Sequence, residues 1–221
     1  MKLASLKEGG RDGTLIVVTR DLARGVRVPQ VARTMQEAIE RWDSVRPRLQ
    51  EVSDRLHRGE EAAAFAVDPE ALASPFPRAF QFLDGSVYLH HMEKARKARG
   101  AEMPPNYKTE PLMYQGLSDR FIGPRDPMLI PDEALGLDYE AELAVVTDDV
   151  PMGTPASEAS RHIKLLMLLN DYTLRTLTRT ELPKGFGFMQ AKPTSAFSPV
   201  AVTPDEVGAA WDGEKLDRPI L

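Results

Sequence analysis

Apolar and polar positions change their spacing several times along this chain, and each change predicts a different element. "TLIVVT" (14–19) is a β-branched run that predicts a strand, with "GVRV" (25–28) as its hairpin partner across the polar turn "RDLARG". From Thr34 the spacing becomes helical. Ala38, Ile39, Trp42 and Val45 recur on one face, and Leu49, Val52 and Leu56 continue the stripe to about His57. "TMQE" has the form of a capping box, with Thr34 as cap and Glu37 reaching back to its amide. Pro47 is expected to break or kink this helix. In the second half, "TPASEASRHIKLLMLLN" (154–170) predicts a helix with Thr154 as cap, Pro155 at its first position, and Ile163, Leu166, Met167 and Leu169 or Asn170 as the buried face. His162 falls inside it, where a surface or capping role is the ordinary one.

These patterns divide the chain. "AVDPEALASPFPRAF" (66–80) is rich in Pro and Ala, so a boundary is placed near Ser74. Residues 1–74 read as a small α+β unit. Residues 75–221 have more Gly and Pro, short strands and long irregular stretches such as 92–137, which compact domains keep mainly for function.

Composition narrows the chemistry. The net charge of −5 over 221 residues argues against a nucleic-acid binder. Without cysteine there is no disulfide, thiolate metal site or cysteine nucleophile, which fits a reducing compartment. The first residues lack the apolar region of a signal peptide, and no apolar run can cross a bilayer. A soluble cytoplasmic protein with no membrane partner is expected.

One strand poses a question. In "LDYEAELAVV" (137–146), alternation puts Glu140 and Glu142 on one face, with Asp138 joining them if the strand starts early. Tyr139, Ala141, Leu143 and Val145 take the other face. Adjacent carboxylates repel and are costly to bury. A solvated sheet edge tolerates them, and so does a bound hard cation, whose charge reverses the local penalty. More oxygens are then needed. Asp84 opens an Asp-Gly turn after an apolar stretch, and Asp171 follows "LLMLLN" at an expected helix end, where a carboxylate is unfavourable.

"DGSVYLHH", "PLMYQG", "LDYEAELAVV", "LLNDYTLR" and "QAKPTSAFSP", in this order, resemble the fumarylacetoacetate hydrolase family of the bacterial type. The first seventy-odd residues are similar to its N-terminal domain. The resemblance implies an α+β protein: a mixed β-roll or β-sandwich catalytic domain preceded by a small α+β domain, working as a homodimer. It implies Asp84, Glu140, Glu142 and Asp171 as ligands of Mg²⁺, Ca²⁺ or Mn²⁺. His91 becomes the catalytic base, Lys192 and Arg175 catalytic cations, and Tyr114, Arg175 and Thr178 substrate contacts. Of the adjacent His90 and His91, only one could face the site from a strand, and family spacing favours His91. The implied reaction is hydrolysis of a carbon–carbon bond in a β-diketo acid such as fumarylacetoacetate, in the breakdown of tyrosine and other aromatics. An acylpyruvate hydrolase, an oxo-acid decarboxylase or isomerase, and an inactive fragment acting only by binding are the alternatives.

The residue types suit that chemistry. A divalent ion polarises a chelated dicarbonyl, an imidazole can take a proton from water, an ammonium can steady an oxyanion, and a guanidinium fork matches a carboxylate. The chain also departs from the pattern. Thr178 stands where some members carry a substrate-binding Gln, Leu182 where a Tyr is expected, and Ala196 where the animal enzyme has a Thr. Members also run on past "KLDRPIL", into a region supplying further strands, a glutamate paired with the catalytic His and a threonine that touches substrate. "ELPKGFGFMQAK" (181–192) reads as a flap or a plain connector, and the basic stretch 93–107 as a guide for anions or a solvated run.

Overall fold

The computed structural model describes residues 1–98 and 100–220, so Arg99 of the basic stretch and Leu221 lie outside the described residues. The chain begins with an antiparallel meander of β1 (Lys2–Leu6), β2 (Thr14–Val18) and β3 (Arg24–Arg27), in which Leu3 faces Val17 and Val17 faces Val26. The left-handed residue of the β2–β3 turn is Leu22 (φ 62°), not the glycine. Gly25 sits inside β3 because a Cβ there would come within 3.1 Å of Val67 and 3.3 Å of Ile16.

Two helices follow, α1 (Met35–Glu40) and α2 (Trp42–His57). Thr34 caps α1, its hydroxyl accepting from the Glu37 amide at 3.1 Å, whereas the Glu37 carboxylate reaches one residue further back, to the Arg33 amide at 2.8 Å. The expected break at Pro47 does not occur. The chain breaks at Arg41, and α2 runs through Pro47. The hydrogen bond that Pro47 cannot make would have gone to Asp43, in an exposed first turn where water can serve that carbonyl. β4 (Phe65–Ala66) then pairs with β3.

Next come β5 (Leu83–Gly85), α3 (Leu89–Ala98) and β6 (Met113–Gln115), then β7 (Leu137–Asp138), β8 (Ala141–Thr147), α4 (Ala156–Ala159) and β9 (Ile163–Asn170). β10 (Thr173–Leu174), α5 (Arg175–Glu181), β11 (Ala196–Phe197) and β12 (Ala201–Val202) complete the set. The long helix expected over 154–170 is absent. Only Ala156–Ala159 is α-helical, and the Thr154 hydroxyl donates to Pro151 O at 2.7 Å instead of capping. "IKLLMLL" is a strand with β8 along one edge and β11 and β12 in succession along the other. This strand buries Leu165, Met167 and Leu169 on one face and Leu166 on the other, where Leu168 stays half exposed, so it reads as a continuous apolar run that helical spacing also fits.

β12 also pairs with β1, setting Leu3 opposite Ala201, so one sheet runs from the N-terminal meander to β8. Its ladders are antiparallel, with a single parallel bridge, Ile122 to Ala196, among the described residues. On one face Leu3, Leu15, Val17, Leu165, Met167 and Leu169 pack with Met35, Val45 and Leu49 of the helices in a shared core. Each such buried side chain contributes about 1.5–3 kcal/mol relative to exposure. The protein is thus a mixture of helix and sheet in which both halves of the chain share the sheet.

Candidate metal centre

Where β8 and β9 leave the large sheet, their pairing carries on as the β7–β10 ladder in unbroken register. Ala141 faces Asn170 and Asp138 faces Thr173, so Glu140 lies opposite Asp171. The Asp171 amide donates to Glu140 O at 2.9 Å. Glu142, opposite Leu169, is the diagonal neighbour of Asp171 on the same face. This face looks into the protein: its continuation, Ala144 and Val146, packs on the core, whereas Tyr139 and Val145 on the other face are exposed. Of the two settings open to these acids, a solvated edge and an enclosed site, the strand takes the inward one.

A second hairpin supplies the rest. β5 pairs with β6 so that Asp84 lies opposite Tyr114. Asp84 is therefore a strand residue rather than the start of a turn. Carboxylate oxygens of Asp84, Glu142 and Asp171 lie within 4.8 Å of one another. The Tyr114 hydroxyl donates to Asp84 at 2.8 Å and reaches Asp171 at 3.3 Å. The Ser195 hydroxyl donates to the other Asp171 oxygen at 3.4 Å.

Glu140, expected beside these three, is held differently. Each of its oxygens takes a cation: Oε1 binds the Arg175 guanidinium, and Oε2 the Lys192 ammonium at 3.0 Å. Lys192 also binds Asp171 directly. The other arm of Arg175 holds Asp138 at 2.8 Å, so its fork is filled by the chain's own carboxylates. The ring of Phe188 meets Tyr114 edge-on, 4.7 Å between centroids, and closes one side. Phe186, in the same 181–192 segment, is almost fully exposed.

Electrostatics separate the acids. Burial, then the charges of Asp84, Asp171 and Glu140, push the Glu142 carboxyl up to about 8. Burial also raises Asp171, with Asp84 adding to it against the pull of Lys192. Burial would raise Glu140 too, but Lys192 and Arg175 outweigh it and hold it below its usual range. Burial followed by Asp171 and Asp84 drives the Tyr114 hydroxyl up, keeping it a donor. Three converging hard oxygen donors, of which Glu142 and Asp171 resist carrying their charges, are what a divalent cation relieves, so this set fits such an ion.

The remaining expected residues, His91 and Thr178, stand on helices. His90 and His91 stand on α3, not on a strand. His90 is exposed and His91 half-buried, and no hydrogen bond joins His91 to the carboxylates among the described residues. The Thr178 hydroxyl donates to Arg175 O, one turn back in α5, at 2.8 Å. His162 is buried beside Asp148 (2.6 Å), which Lys164 also holds, tying the ends of the β8–β9 connection together. Residue patterns alone point to neither Ser195 nor Glu181, whose carboxylate accepts from the backbone just before Lys192. A carboxylate at the C-terminal end of a helix was the available signal for Glu181.

The chain belongs to the fumarylacetoacetate hydrolase family: residues 1–78 match the fumarylacetoacetase N-terminal domain 2, and residues 81–217 the fumarylacetoacetate (FAA) hydrolase C-terminal region. Among curated relatives it is similar to a 2,4-didehydro-3-deoxy-L-rhamnonate hydrolase of Sphingomonas sp. (strain SKA58), 31% identical over 107 residues, or 47% of this chain and 36% of that one. The chain spans less than half the length of the curated relatives it matches. Its fold is similar to that of a maleylpyruvate hydrolase from Sphingobium sp. SYK-6 solved with manganese(II) and pyruvate (TM-score 0.62, 14% identity, 95% of this chain and 70% of that one). It is also similar to a fumarylacetoacetate hydrolase from Exiguobacterium antarcticum (TM-score 0.59, 20% identity, 92% and 66%). No helix among the described residues is long and apolar enough to cross a membrane.

Proposed function

We propose that this chain carries the metal site of a hydrolase that cleaves a carbon–carbon bond in a β-diketo acid such as fumarylacetoacetate, releasing fumarate and acetoacetate. The observation that carries it is the convergence of Asp84, Glu142 and Asp171 within 4.8 Å, beside a lysine that bridges Asp171 and Glu140. These three would hold a Mg²⁺, Mn²⁺ or Ca²⁺ ion, with Glu140 in reserve behind its two cations. When bound, the ion would polarise a chelated dicarbonyl and lower the cost of the enolate that leaves. Tyr114 and Lys192 would direct their donors at the reacting oxygens, and Phe188 would keep bulk water from that side. His91 is the proposed acceptor of the proton from water. Arg175 would meet a substrate carboxylate by giving up Asp138, the more exposed of its two partners. The β-roll closure, a homodimer and a cytoplasmic setting belong to the same proposal.

One observation favours a second reading. Among the described residues no hydrogen bond joins His91 to the carboxylates, and decarboxylation or isomerisation of an oxo acid would use the same site without an activated water. The test is calorimetric titration of metal-stripped protein with Mn²⁺, followed by assays on fumarylacetoacetate, acylpyruvates and oxaloacetate. Saturable binding that is lost in Asp171→Ala, with hydrolysis of a diketo acid, is expected. Tight Mn²⁺ binding with decarboxylation of oxaloacetate alone would move the assignment to the second reading, and absence of binding would end both.

A further inference from the structure

Glu181 is the last residue of α5, where a carboxylate meets the negative end of the helix dipole. Its oxygens nonetheless accept from three successive amides, Met189 at 3.1 Å, Gln190 at 2.8 Å and Ala191 at 2.9 Å. Consecutive N–H groups converging on an anion form the kind of nest that elsewhere binds phosphate or carboxylate ligands. Here the anion is the chain's own. Ala191 is pinned from both sides, since its carbonyl accepts from the Leu174 amide at 2.8 Å. The next residue is Lys192, nearly buried, with its ammonium between Asp171 and Glu140. α5 therefore brackets Glu140: Arg175 at its start holds one oxygen, and the strap clamped by its last residue delivers Lys192 to the other.

We infer that Glu181 is a positioning residue for Lys192, acting through the backbone strap 189–191. Only its consequence for a bound cation rests on the metal reading above. With the strap loosened, the ammonium leaves Asp171, and the carboxylates lose a competing positive charge. A divalent cation should then bind as well as before or better, the opposite of what general damage to the fold produces.

The test uses the whole chain, metal-free, as wild type, Glu181→Gln and Glu181→Ala. Gln keeps the shape and one acceptor but turns an amide group toward the strap. Trace acetylation read by peptide mass spectrometry should label Lys192 about tenfold faster in Glu181→Gln, and faster still in Glu181→Ala. Exposed Lys94 and the exchange of β9 amides should not change, while exchange at 189–191 accelerates. Mn²⁺ affinity should hold or rise. Unchanged labelling of Lys192 in both variants overturns the inference. So does a joint loss of Mn²⁺ affinity and β9 protection, which would make Glu181 a fold residue only. A wild type that binds no Mn²⁺ would remove the metal reading, and Lys192 labelling would still decide the role of Glu181.

Discussion

Leu15 in the N-terminal meander and Asp171, one residue past the end of β9, are withdrawn from water to the same degree, 0% and 1% exposed. For Leu15 that burial is favourable and roughly proportional to area. For Asp171 it opposes the charged form, and Lys192, Tyr114 and Ser195 only partly offset the cost. Equal burial thus means opposite things in the two regions. The apolar region holds itself together, and the acidic end is held by its neighbours in a state that a cation would improve. Replacing each residue should expose the difference. Leu15→Ala is expected to lower the unfolding free energy by about 2–5 kcal/mol in urea melts. Asp171→Asn, measured without metal, should cost far less, and a comparable loss would erase the contrast.

The second way to sharpen it is pH. The Glu142 carboxyl, at about 8 against an ordinary 4.5, keeps its proton longer in the folded state than in the unfolded one. Between those values the folded state binds more protons, so stability is full below about pH 4.5 and falls as pH rises toward 8. Discounting for solvent around a half-buried group, the loss is about 1–3 kcal/mol. Urea melts in EDTA from pH 5 to 8 should show this decline, Glu142→Gln should flatten it, and saturating Mn²⁺ should restore the wild type at pH 8. An apo profile that rises over this range would contradict the raised carboxyl.

The same contrast explains what the sequence makes legible. The β2–β3 hairpin and the Thr34 cap are readable because local pattern and packing agree there, and Val17, Val26, Val45 and Leu49 are where period and burial coincide. "IKLLMLL" is not, because its strand state comes from partners on both edges that lie elsewhere in the chain. The pairing of Glu140 with Glu142 is visible as spacing. Their different fates are not, since Glu140 meets two cations and Glu142 two further acids only through the register of β8 on β9 and the β5–β6 hairpin. Family resemblance, rather than periodicity, is what points to Asp84, Asp171 and Lys192 together. The helical placement of His90 and His91 escapes both.

The smallest expected effect lies wholly in the apolar region. α1 is only six residues long and owes its start to Thr34, whose hydroxyl takes the Glu37 amide, while the Glu37 carboxylate takes the Arg33 amide. A helix this short has few internal hydrogen bonds with which to replace a lost cap. Thr34→Ala should therefore cost about 1 kcal/mol in urea melts, and Thr34→Ser should recover most of it. Ala38 and Ile39, one turn on, pack in the shared core, so the loss should appear in global unfolding rather than as local fraying. Neither variant touches a carboxylate of the cluster, and well-separated sites act independently, so Mn²⁺ affinity should stay within about twofold of wild type. A larger change would mean that the two regions, joined by one sheet, share their energetics as well as their strands.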